Sequence, residues 1–193
     1  MASSKSFKIT FSLDEHDSAY FQSLYKEAKK HARAEDAPKI LGEVKALIDR
    51  VRGVKRAPHF VIEAIVVLED LMQMLEDADY KLPRTQHEAA VAGLAYFANP
   101  KDVIPDHIPA LGFLDDAIMI SFVAEDFKHE LWAYRKFRAF RSGAEQRPWT
   151  NVAQDRLPRR LEDYRKELRQ KVAEKTAGEK ARAARTGIRR FTW

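Results

Sequence analysis

Tyr96-Phe97-Ala98-Asn99-Pro100-Lys101-Asp102-Val103-Ile104-Pro105-Asp106-His107-Ile108-Pro109-Ala110-Leu111-Gly112-Phe113-Leu114-Asp115-Asp116 is the stretch on which the fold turns. Three prolines, four aspartates and a glycine run through an apolar segment lying between two helical patterns. Connectors are usually polar, because buried backbone needs hydrogen-bond partners. One that carries Val103, Ile104, Ile108, Leu111, Phe113 and Leu114 is expected to fold back onto the core. Its reading fixes helices on both sides and leaves little room for a sheet.

Working outward toward the N-terminus, Thr85-Gln86-His87-Glu88 reads as a capping box for a helix whose Ala89, Ala90, Ala92, Gly93 and Ala95 suit close packing. That helix is expected to end at Asn99-Pro100, since a residue before proline avoids the α region. Upstream, Pro58 opens a nearly all-apolar helix through Phe60–Leu68 to about Asp79, which predicts a central position. Asp36 with Pro38 signals the start of another, with Ile40, Leu41, Val44, Leu47, Ile48 and Val51 at helical spacing and Gly53 at its end. Asp14 is the expected cap of a first helix to about Ala34, with Tyr20, Leu24 and Ala28 on its inner face. Lys8–Leu13 reads as extended lead-in.

Toward the C-terminus, the pattern predicts one long helix from Asp115 or Asp116 to about Phe140. Ser142–Thr150 has linker composition, and an amphipathic helix starts near Pro158 with Leu161, Tyr164, Leu168 and Val172 on one stripe. From Lys180 to Arg190 the sequence reads as a basic tail. The fold class is therefore all-α: an irregular, single-domain helical bundle with an amphipathic, basic C-terminal helix and arm. Residues 1–35 form a lead-in and first helix, 36–141 the helical core, and 142–193 the linker, basic helix and tail.

Composition narrows the chemistry. Of 193 residues none is cysteine, which rules out disulfides, thiolate metal sites and a cysteine nucleophile. Walker loops, nucleophile elbows and dinucleotide fingerprints are absent. The N-terminal residues lack the apolar core of a signal peptide, and Ala64–Leu68 and Ala117–Ile120 are far too short to span a bilayer, so a cytoplasmic protein with no transmembrane segment is expected. Charge is polarised. From Arg135 onward, 18 basic and 7 acidic residues give +11, whereas the preceding 134 residues, with 16 basic and 22 acidic, give −6.

The connector resembles the signature of the YkvA-like family, a domain of unknown function numbered 1232. Pro100, Asp102, Ile104, Pro105, Asp106, Ile108, Pro109, Gly112, Asp115 and Asp116 stand at matching places, with Asn99 where serine is usual and Val103 where leucine is usual. The resemblance covers about residues 89–125. It implies a small helical domain and carries over no catalytic residue.

Two readings of the motif stay open. In one, Asn99 caps a turn opened by Pro100, Pro105 and Pro109 stiffen the crossing, Gly112 permits a close approach, and Asp115 and Asp116 meet the free N–H groups of the next helix. In the other, Asp102, Asp106, Asp115 and Asp116 form an oxygen site for Mg²⁺, Mn²⁺ or Ca²⁺. Glu125 with His129, and Asp126 with Glu130, sit four apart and could share helix faces as metal ligands. Neither His87-Glu88 nor His129-Glu130 continues into zincin spacing.

The second signal is Leu131–Arg141, basic and aromatic, echoed by Arg189–Trp193. Arg135, Lys136, Arg138, Arg141, Arg182, Arg185, Arg189 and Arg190 are the candidate contacts to an anionic partner, either nucleic acid or an anionic membrane surface. The aromatics read as core. The chain thus reads as a binding or adaptor module rather than an enzyme, requiring no cofactor, with a protein partner also compatible. The alternative is a divalent-metal-dependent hydrolase or phosphoryl-transfer enzyme built on the aspartates.

Overall fold

Seven α-helices and a short 3₁₀ helix, without a strand, make up the described part of the computed structural model, which comprises residues 12, 14–33, 36–55, 57–98, 104, 111–145 and 156–186. The helices are α1 (Glu15–His31), α2 (Ala37–Gly53), α3 (His59–Glu76), α4 (Arg84–Gly93), α5 (Leu114–Asp126), α6 (Lys128–Glu145) and α7 (Leu157–Thr186), with the 3₁₀ helix Leu94–Ala98 continuing α4. The all-α expectation holds.

Helix α3 is the centre, as its apolar run predicts. Val61, Ile65, Leu68, Leu71, Met72 and Met74 are buried against α2, α5 and α6. Each fully buried aliphatic side chain of this kind contributes about 1.5–3 kcal/mol of transfer free energy. Ile40, Val44, Leu47 and Val51 fill the facing side of α2, while α1 crosses α4, the 3₁₀ helix and α5. One cluster of buried residues runs from Phe21 to Val172. Helix α7 joins it from outside, packing on α6 through half-buried Leu161 and Tyr164 and buried Leu168 and Val172, the stripe seen in the sequence.

Several local expectations need correction. Tyr20 is 49% exposed, and Phe21 and Tyr25 take the inner face of α1 instead. The Asp14 cap does form, as a reciprocal box: its carboxylate accepts the Asp17 N–H at 2.8 Å, and Asp17 accepts the Asp14 N–H at 3.3 Å. Asp36, by contrast, already has helical backbone angles, so its side chain cannot reach the first-turn amides; it accepts the Arg33 N–H at 3.2 Å. The Thr85–Glu88 box is also absent. The helix starts two residues earlier, after Pro83, which puts Thr85 inside the first turn; its hydroxyl donates to Gln86 Oε1, and Glu88 pairs with Arg84 at 2.7 Å.

Helix α3 stops at Glu76 rather than near Asp79, because the Asp77 carboxylate turns back to accept the N–H groups of Asp79 (2.9 Å) and Tyr80 (3.0 Å). The expected single helix over 115–140 is two. Phe127 breaks it with non-helical backbone (φ −111°, ψ 15°) and turns its ring onto Gly93, where an added Cβ would lie 3.4 Å from the ring and 3.1 Å from the Tyr25 hydroxyl. Composition gives no sign of that break, whose cause is packing between distant elements. Ser142–Glu145 are helical rather than linker, and α7 continues as helix through Lys180 to Thr186 where a tail was expected. The Lys8–Leu13 lead-in, apart from exposed Ser12, falls outside the described residues, as do 146–155 and 187–193.

Candidate functional site

The basic, aromatic stretch of the sequence forms most of α6, and its arginines point inward to α3. Arg135 Nε lies 2.7 Å from Asp70 Oδ2, and Arg138 Nη1 lies 2.8 Å from Asp70 Oδ1 and 2.6 Å from Gln73 Oε1. Arg141 grips Asp77 with two nitrogens at 2.8 and 2.9 Å and reaches Asp79 at 3.0 Å. The partner numbers rise together, so α3 and α6 run parallel and the three- to four-residue spacing matches on both. Asp70 is only 6% exposed, and two guanidinium groups meet its charge.

The turn after α3 is where three elements converge. Burial pushes the Asp77 carboxyl up, but the bonds from Arg141 and from the Tyr80 and Asp79 N–H groups outweigh it and bring it below the ordinary value. Tyr134 adds its hydroxyl at 3.3 Å. Arg165 and Arg169 of α7 donate to carbonyls of the same turn, Arg165 to Asp79 O at 2.8 Å and Arg169 to Tyr80 O and Lys81 O. Buried Tyr80 donates to Glu130 Oε2 at 3.1 Å, and burial raises the Glu130 carboxyl above its usual range.

The aromatics behave as core and docking residues, as expected. Phe137 and Tyr134 are buried, and Phe140 stacks on Tyr164 with ring centroids 4.4 Å apart. Arg160 lies over Phe140, and Lys175 lies 4.6 Å above the Trp132 ring.

The predicted site residues separate. Glu125, His129, Asp126 and Glu130 do not act as two ligand pairs, because the break at Phe127 aims each elsewhere. Glu125 pairs with Lys128 at 2.6 Å and His129 with Glu179 at 2.9 Å, while Asp126 takes Tyr25 and Lys29 at 2.9 and 2.8 Å. Asp115 and Asp116 occupy the first turn of α5, where carboxylates suit the positive dipole end, although the cap position is Phe113. Asp115 is 2% exposed and accepts the Ile104 N–H at 3.0 Å, which ties the connector to the helix start. Gly112 is buried beside it. Asn99, Pro100, Asp102, Pro105, Asp106 and Pro109 fall outside the described residues. So do Arg189 and Arg190, and of Arg185 only the backbone is described. Among the described residues, Asp14, His16 and Asp17 come close enough to share an ion, but all are exposed and two already form the α1 cap.

Sequence reasoning passed over Asp70, Asp77, Arg165, Arg169 and Glu179. A signal existed for the first two: Asp70 and Asp77 lie on or just after the apolar α3 run, and Arg135, Arg138 and Arg141 recur every third residue.

The profile of a family described as "Protein of unknown function (DUF1232)" matches residues 89–122, which take in the second half of α4, the 3₁₀ helix, the connector and the first two turns of α5. The chain is 40% identical over 72 residues to a Bacillus subtilis (strain 168) protein called "Uncharacterized membrane protein YkvA". Over this stretch the chain is similar to the YkvA-like family. The alignment takes in 34% of the chain and 66% of the relative, just short of two thirds of the relative's length. No solved structure matches the chain. Arg135–Arg141 and α7 lie beyond the matched family profile. Among the described residues, no helix is long and apolar enough to cross a membrane.

Proposed function

We propose that this YkvA-like protein is a non-enzymatic binding module that docks on an anionic membrane face, from the cytoplasmic side, through the outer surface of α7. The observation that carries this reading is the design of α7. It spans 30 residues, about 45 Å at 1.5 Å per residue, and carries ten basic and five acidic side chains. Its one apolar stripe is consumed by α6, which leaves Arg159, Arg160, Lys166, Lys171, Lys180 and Arg182 exposed. Arg135, Arg138 and Arg141 hold α3, so α7 and its C-terminal extension are the better candidates for contact, with exposed Lys136 beside them.

A membrane is favoured over nucleic acid by the name of the Bacillus relative and by the anionic character of cytoplasmic leaflets, where each nearby lysine or arginine contributes about 1 kcal/mol. The enzyme reading on Asp102, Asp106, Asp115 and Asp116 is less favoured, because Asp115 already has a structural task at Ile104.

The test is vesicle co-sedimentation of the full chain. Vesicles containing phosphatidylserine should retain it at low salt and release it as salt rises, and phosphatidylcholine alone should not bind. Removing Lys180–Trp193 should weaken retention and flatten the salt dependence. Retention by RNA but not by vesicles would move the partner to nucleic acid, and binding to neither would refute the reading.

A further inference from the structure

Helix α7 is attached to α6 in two different ways along its length. From Leu161 to Val172 the attachment is apolar, with Leu168 at 1% and Val172 at 8% exposure, reinforced by Arg165 and Arg169 on the turn carbonyls. From Ala173 to Ala183 no described side chain is buried. That distal stretch meets α6 through Glu179, whose carboxylate takes the Lys128 ammonium on one oxygen and the His129 ring at 2.9 Å on the other. Lys175 over Trp132 adds a cation–π contact one turn earlier.

We propose that Glu179 is a latch that holds the distal half of α7 against α6, and that its release frees the basic end of the chain to engage an anionic surface. The physical basis is the contrast in what the two halves would lose. Opening the proximal half exposes Leu168 and Val172 to water, whereas opening the distal half breaks partly exposed ion pairs that water and salt readily replace. The charges facing Glu179 are Lys128 and His129 from α6 and, behind Lys128, Glu125 at the end of α5, which shares the same ammonium, while Lys175 one turn earlier on its own helix is turned onto Trp132. The bond from Lys128, with that from His129, keeps the Glu179 carboxyl below its ordinary value against a smaller opposing effect of burial, so the latch stays charged and closed at neutral pH.

An anionic surface attracts Lys128 and Lys175 and repels Glu179, which is the combination that opens it. The regulatory meaning rests on the membrane reading above, while the latch itself concerns this chain alone.

Two measurements separate the parts. In hydrogen–deuterium exchange of the full chain without any partner, Glu179→Gln should speed exchange of amides 173–183 by about two- to fivefold, the range set by partly exposed ion pairs, and leave 161–172 unchanged. High salt should do the same to the native chain. No change at 173–183, or an equal change across α7, overturns the latch.

For the regulatory part, Glu174→Gln serves as the control, since it removes the same charge from an exposed position of α7 where no ion pair reaches α6. Glu179→Gln should bind phosphatidylserine vesicles about two- to fivefold more tightly than Glu174→Gln. Equal affinities would overturn regulation with the latch intact. Loss of vesicle binding by every variant would refute the membrane reading and, with it, the regulatory role, leaving the exchange result to stand alone.

Discussion

Replacing Arg141 with methionine should be among the most damaging single changes at a charged position. Asp77 has a side chain only 7% exposed, and Arg141 meets it with two nitrogens at 2.8 and 2.9 Å while itself 21% exposed. Removing one partner of a fully buried pair costs about 3–5 kcal/mol, and an exposed pair is worth about 0–1. This pair lies between those limits, because Asp77 would keep the Asp79 and Tyr80 N–H groups and the Tyr134 hydroxyl. The expected loss is therefore about 2–3 kcal/mol. For a chain of this size that lowers the melting temperature by about 4–12 °C. Methionine keeps an aliphatic side chain of similar reach but loses, with the charge, the cation–π contact of Arg141 Cζ 5.5 Å from the Phe137 ring centroid, so the cycle with Asp77 is needed to isolate the ion pair. Thermal melts of Arg141→Met, Asp77→Asn and the double variant form a cycle whose coupling should be about 1–3 kcal/mol. Coupling below about 0.5 kcal/mol would show that the pair is solvated and that the turn is held by its backbone alone.

Two further outcomes follow from carboxylates drawn into the fold, half-buried Glu130 and buried Asp115. Glu130→Gln keeps an acceptor for Tyr80 but removes a charge that burial disfavours. A raised folded-state value means the native state binds that proton more tightly, so ionisation costs stability at neutral pH. The variant should melt higher at pH 7, and its advantage should fade as pH falls through the raised value toward the ordinary one near 4.5; a constant offset in melts across pH would contradict this. Asp115→Ala should lose about 1–3 kcal/mol by stranding the Ile104 N–H, and Asp115→Asn should recover part of that by keeping an acceptor; unchanged denaturant midpoints for the alanine variant would refute the tether between connector and α5.

The sequence by itself determined the all-α class, most of the helices, the central place of α3, the docking stripe of α7 and the family likeness. These follow from apolar periodicity and from a run of rare residue types in fixed register, both of which are written along the chain. Which arginines would be engaged was not legible, because a side chain's partner depends on which helix lies opposite. Arg135, Arg138 and Arg141 read as a surface patch until α3 is placed parallel to α6, where Asp70 and Asp77 meet them. The breaks were missed for the same reason. Phe127 looks like any helical phenylalanine, and only the approach of α4 at Gly93 turns its ring out of register. The caps at Asp36 and Thr85 failed on local geometry: Asp36 keeps the cap position but has helical backbone angles, and the start of α4 two residues ahead of the expected one puts Thr85 inside the first turn. Local pattern fixes what each segment is. Which charges are neutralised within the fold and which stay on the surface is decided only when the segments meet.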